Sequence, residues 1–305
     1  MIPFRYHIVT IVAVFLALAV GLLAGSAFVD PALTNQLRAQ TDRLRGELND
    51  RIGELEQVRT EAAQLRAFAD ASLQHLVADR LLGQGVVVVT QEGVEGAVLD
   101  QTQAALDAAG ANVVAVLTAR STLVADDPDT RSQLAELVGE GATGPTGVAA
   151  GAAEALADRL ANGAVGVDPE EDLLNRLLSA GFLDSEVSEQ TLQDIGVPGQ
   201  VVVVLGGGPA EAPALAPQAF ALPLVETLAS LDVPVAAGES LATPAEVSFV
   251  AEVRGDGTDG TVTVDDLDLS MGGAALVLGL DALVATGSGG AYGFRDDADP
   301  LPPQP

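Results

Sequence analysis

Residues 85–117 read GVVVVTQEGVEGAVLDQTQAALDAAGANVVAVL, and this stretch decides the fold. Val86, Val87, Val88 and Val89 form a β-branched run without polar alternation, bounded by Gly85 and Thr90. A strand with one wet face alternates apolar and polar residues, whereas a strand covered on both faces does not. The run therefore predicts a strand buried between two layers. Residues 94–109 follow with a helical pattern closed by Gly110, and residues 112–117 repeat the strand pattern. Strand, helix and strand in that order predict a right-handed parallel crossover.

The same alternation continues toward the C-terminus. After a polar interruption at Asp126, Asp127, Pro128 and Asp129, helical patterns cover 130–138, 149–161 and 170–180, and residues 200–205 read as a third strand. Residues 223–231 read as a short helix with Pro223 in its first turn, where a missing amide is harmless. Short strands are expected over 233–237 and 261–264, and an apolar final helix over 271–285. Alternating elements of this kind predict an α/β domain over residues 84–286, with a Rossmann-like, doubly wound, mostly parallel sheet. Residues 287–305 are polar and proline-containing and read as a disordered tail.

Toward the N-terminus, residues 8–29 are twenty-two in a row without a charge. At 1.5 Å of rise per residue such a helix crosses a hydrocarbon core of about 30 Å. Arg5 precedes it and Asp30 and Pro31 follow, so residues 1–7 are expected in the cytoplasm and the rest of the chain outside it. The small residues Gly25, Ser26 and Ala27 leave open a cleaved signal peptide, although the run is longer than the roughly 7 to 15 residues of a signal core. Gly21 and Gly25 form a GxxxG pair of the kind that lets two membrane helices approach.

Between anchor and domain, residues 31–82 read as a coiled-coil stalk. Positions 37, 44, 51, 58, 65 and 72 hold Leu, Leu, Arg, Val, Leu and Ser, and positions 41, 48, 55, 62, 69 and 76 hold Thr, Leu, Leu, Ala, Ala and Leu. Apolar residues sustained at this spacing over several heptads argue for a helix that buries its stripe against another helix. The partner-binding residues are accordingly Leu37, Leu44, Leu48, Leu55, Val58 and Leu65. Either self-association or a second coiled-coil membrane protein would satisfy them. Arg51 interrupts the seam, and a long helix lying on its own domain is the alternative.

Composition narrows the function. The chain has 305 residues and a formal charge of −29; residues 1–80 carry eight Arg against nine acids, and the remainder six Arg against thirty-four. A domain of that sign repels phosphate backbones, which excludes nucleic acid as its partner. The chain has no cysteine, so disulfides and thiolate metal sites are both ruled out.

No catalytic site and no cofactor site stand out. Gly206, Gly207, Gly208 and Pro209 follow a buried strand, where open sheets bind ligands, but they lack the GxGxxG spacing and read as a turn. His7 and His75 are isolated helical residues. Asp256, Asp259, Asp265, Asp266 and Asp268 cluster around turn glycines without the spacing of a calcium loop. The expectation is a non-enzymatic protein.

Several stretches together resemble the actinobacterial MctB-like copper transport protein family. They are MIPFRYHIVTIVAVFLALAVGLLAGS at 1–26, GVVVVT at 85–90, VTVDDLDLSMGGAALVLGL at 262–280, then Ala291, Tyr292, Gly293 and Leu301, Pro302. The resemblance implies a cell-envelope protein linked to copper homeostasis, with an outer-membrane channel proposed for the family. The related SteB-like type implies instead a cell-division role, as anchor partner of a second membrane protein that controls a peptidoglycan hydrolase. Copper comes from the resemblance alone. Copper(I) prefers Cys and Met and copper(II) prefers His, whereas this chain has no Cys, two Met and two His. One apolar helix also makes a poor channel, and the strands are too few and too apolar for a membrane barrel.

Overall fold

The computed structural model describes residues 4–27, 31–139, 145–164, 168–186, 189–209, 213–255 and 260–302. The chain divides into two compact units, Met1–Arg66 and Ala67–Pro305.

The first unit is helical. Helix α1, Phe4–Ala27, contains the apolar span Tyr6–Gly25, with a mean hydropathy of 2.8 and none of its side chains buried. Helix α2, Pro31–Val77, begins on its proline and runs through this unit into the next. Along its apolar seam, Leu37, Leu44, Leu48, Leu55, Val58 and Leu65 are all more than half exposed. Thr41 and Thr60 return their hydroxyls to the carbonyls of Leu37 and Glu56 at 2.8 Å, which keeps them from competing for the helix amides.

The second unit is a mixed α/β domain. Its elements are β1 Gly85–Gln91, α3 Gly96–Ala108, β2 Asn112–Ala119, α4 Pro128–Val138, α5 Pro145–Asn162, α6 Leu173–Ser179, β3 Leu183–Ser185, β4 Val201–Leu205, α7 Ala221–Ser230, β5 Val235–Gly238, α8 Phe249–Gly255, β6 Thr261–Val264, α9 Ser270–Thr286 and β7 Gly290–Tyr292. Seven strands form one sheet in the order β3-β2-β1-β4-β5-β6-β7, parallel except for β3. Strand β1 pairs in parallel with both β2 and β4, as the expected crossover requires.

The valine run is explained by its two faces. Val87 and Val89 enter a core with Leu156 of α5, Leu174 of α6, Leu224 of α7 and Phe249 of α8. Val86 and Val88 point into a second core with Leu106 of α3 and Leu276 and Leu280 of α9. The second core also takes Val77 and Leu81, so the last turns of α2 are part of the domain. Helix α2 stops at Val77, short of residue 82, because Asp79 adopts the left-handed conformation and the chain turns to bond Leu81 and Gly83 to the carbonyls of Ala109 and Gly110.

One expectation is corrected. Residues 287–302 are folded: Gly290–Tyr292 pairs in parallel with β6, and across the final turn the Gly293 amide donates to the Asp299 carbonyl and the Asp299 amide to the Ala291 carbonyl. Only 303–305 of the expected tail lie outside the described residues. The polar composition misled because these residues are held by side chains of α8 and of the β6 end, with Tyr292 and Leu301 as apolar anchors on the second core.

Candidate functional site

Strand order reverses between β1 and β4, and ligand sites of open sheets gather at the carboxyl ends of strands near such a reversal. Here that edge is occupied by protein. Behind β4, a Cβ on Gly206 would stand 2.7 Å from the Phe249 ring, one on Gly207 2.8 Å from Thr243 Oγ1, and one on Gly208 2.8 Å from the Gly93 carbonyl. Close backbone approach thus requires the three glycines, and Gly207 also holds φ at +74°.

Around them lies a set of buried polar groups from β5, α8, β6 and the C-terminal segment. Arg254 of α8 is the hub, with a side chain 4% exposed. It donates to Thr263 Oγ1 at 2.9 Å, Asp265 Oδ2 at 2.7 Å, Asp297 Oδ1 at 3.1 Å and the Tyr292 carbonyl at 2.8 Å. Asp265, fully buried, accepts the Phe294 amide on its other oxygen at 2.8 Å. Together these bonds tie the C-terminal segment to the sheet.

Two further carboxyls are held near their titration point. Glu239, fully buried after β5, accepts from Ser248 Oγ at 2.5 Å and pairs with Arg295 at 2.9 Å through Oε1, while Oε2 has no partner. Burial outweighs these favourable neighbours and pushes its pKa up to about 7. Asp266 is likewise raised to about 7, first by burial and then by the charges of Asp265 and Asp268. Its Oδ1 is unpartnered, against Gly272 near the start of α9. A protonated carboxyl relieves the desolvation that an ionised one would suffer there.

The acidic cluster read from the sequence therefore separates. Asp265 is an ion-pair partner, Asp268 accepts the Leu241 amide at 2.7 Å, and Asp266 is a buried, raised acid. Asp256 and Asp259 lie outside the described residues. Among the described residues, no three His, Cys, Asp or Glu side chains are placed to hold a metal ion. His75 is exposed in the last turn of α2 and His7 is exposed in α1. Met271 is half-buried in α9.

The six seam residues share one stripe of α2, about 100° wide on an ideal helix, and that stripe is exposed. Reading the sequence missed Glu239, Arg254 and Arg295, and also the buried pair of Arg159 and Asp172, at 2.5 Å, on α5 and before α6. Scarcity was the available signal. With six Arg among thirty-four acids, each arginine of the domain is a strong candidate for a structural pair, and Arg120, Arg159, Arg254 and Arg295 each have one.

The family described as "Copper transport outer membrane protein, MctB" matches residues 1–303. Two relatives named Copper transporter MctB, from Mycobacterium tuberculosis and Mycobacterium bovis, are each 26% identical over 329 aligned residues, covering 96% of this chain and 96% of their own. A match that runs from the apolar helix through the sheet to the folded C-terminal segment places the chain in the MctB copper transport outer membrane protein family.

Proposed function

We propose that the chain is a non-enzymatic, single-pass protein of the cell envelope, with its acidic domain outside the cytoplasm. It serves copper homeostasis as a scaffold that associates through the seam of α2, without a dedicated copper site of its own. The observation that carries this reading is the exposed stripe of Leu37, Leu44, Leu48, Leu55, Val58 and Leu65. An apolar stripe held for this length on an otherwise charged helix gains its stability only when a facing helix supplies the holes, as in a coiled coil. The partner is either another copy or a second coiled-coil membrane protein.

The copper link rests on the family and on the relatives' names. The donor set supports an indirect role. Without cysteine, with two methionines and two separated histidines, the chain offers few soft or imidazole ligands, and the buried carboxyls of Glu239 and Asp266 are oxygen donors that suit harder ions. The test is complementation of a deletion strain under copper stress. Wild type is expected to restore tolerance, and Leu48→Asp with Leu55→Asp to fail at equal protein level. Full restoration by the double variant would remove the scaffold reading.

A further inference from the structure

The seam leaves open what faces it, and the charges beside it supply an answer. Taking Thr41, Leu48, Leu55 and Ala62 as the first core position of each heptad and Leu37, Leu44, Arg51, Val58 and Leu65 as the second, the residues flanking the seam sort by sign. The column before the first core position holds Gln40, Glu47, Glu54 and Glu61; the column after the second holds Arg38, Arg45, Ile52, Arg59 and Arg66. One side of the stripe is acidic or amide throughout, and the other is arginine with a single isoleucine.

In two parallel helices, each residue of the first column faces the residue five positions later on the partner, and these pairs set partner and orientation. That spacing brings Glu54 to Arg59, Glu61 to Arg66 and Gln40 to Arg45, each twice across a symmetric pair. Antiparallel helices would set Glu against Glu and Arg against Arg. Within one helix, residues five apart do not meet, since neighbours are three or four apart, so the match at this spacing has no use in a single copy. The ion pairs that α2 makes on its own are Arg45 with Asp42 and Arg51 with Glu54, both at i,i+3; Arg59 and Arg66 make none among the described residues.

We propose that the seam of α2 joins two copies of this chain, parallel and in register, with the acidic column of each helix against the arginine column of the other. This rests on the reading that the stalk associates. A shared anchor supports the same geometry, because two chains held by the same apolar segment enter α2 at the same height and in the same direction. Arg51 falls opposite its own copy, and Glu54 at 2.9 Å supplies the counter-charge there.

The absence of cysteine makes the test direct, because a single introduced thiol reports only itself. Full-length protein in its native membrane, carrying Ala62→Cys on the seam or Thr60→Cys on the outward face, is oxidised mildly and resolved by mass. Ala62→Cys is expected to give a covalent dimer of the chain and Thr60→Cys several-fold less. A second arm co-expresses Glu54→Arg/Glu61→Arg with Arg59→Glu/Arg66→Glu, both carrying Ala62→Cys. The mixed dimer is expected to exceed either like-charged homodimer several-fold. Equal homodimers and mixed dimer would overturn the proposed charge pairing. An Ala62→Cys adduct only to a different protein would overturn the homotypic pair and leave stalk association standing. No adduct of any kind from Ala62→Cys would remove both.

Discussion

Replacing Arg254 by Leu should unlatch the C-terminal segment from the sheet. The guanidinium is almost fully buried, and its loss leaves Asp265, itself fully buried, without the counter-ion at 2.7 Å, while Thr263 and the Tyr292 carbonyl lose donors. Removing one member of a buried pair costs about 3–5 kcal/mol, because the remaining charge is uncompensated. At about 2–4 °C per kcal/mol for a domain of this size, the melting temperature should fall by about 6–20 °C. Asp297→Asn removes a half-exposed partner of the same arginine and should cost less than about 1 kcal/mol. Adding Asp265→Asn to Arg254→Leu removes the stranded charge, keeps an acceptor for the Phe294 amide, and should recover part of the loss. The assay is thermal unfolding of the full chain in detergent, followed by circular dichroism, with hydrogen exchange of Tyr292 and Phe294 as the local readout. An Arg254→Leu variant as stable as Asp297→Asn, or a double variant worse than the sum of its parts, would refute the latch.

Three further outcomes are expected. Glu239 has a folded pKa of about 7 against an ordinary 4.5, so the fold binds more protons than the unfolded chain between those values; stability should fall as pH rises from about 4.5 to about 7, and Glu239→Gln should flatten that slope in denaturant titrations at a series of pH values. Copper titrated into the purified chain should bind weakly and without fixed stoichiometry, and calorimetry showing a saturable one-to-one site of about micromolar affinity would contradict the indirect copper role. Intact-mass measurement on membrane-extracted protein should find the apolar span retained, whereas a mature chain beginning at Phe28 would make it a cleaved signal.

The fold was legible where burial leaves a local pattern. The run of Val86 to Val89 showed a strand with two covered faces, the helix over 96–108 showed a helical pattern closed by glycine, and the helix over 270–286 showed an apolar run long enough to read. Strands β3 and β7, at three residues each, are shorter than any periodic pattern, and α8 has only seven residues. The C-terminal segment was misread because what orders it is distant: Arg254, thirty-eight positions before Tyr292, supplies its bond. The same reason hid the polar edge of the sheet. A buried Glu239 and a solvated glutamate are the same letter, and only the fold shows that Arg295 and Ser248 close over one of them. The seam, by contrast, is written in spacing along one helix, and each of its six residues lies on the exposed stripe.

Burial of each seam leucine contributes about 1.5–3 kcal/mol, so two aspartates in its middle should abolish any assembly that depends on it. The most direct measurement is chemical crosslinking in the native envelope, comparing wild type with the Leu48→Asp/Leu55→Asp chain at equal abundance. The account predicts a discrete higher-mass adduct for wild type that is lost in the variant, with the domain's thermal unfolding unchanged. A wild-type chain recovered only as monomer, or an adduct that survives both aspartates, would contradict it.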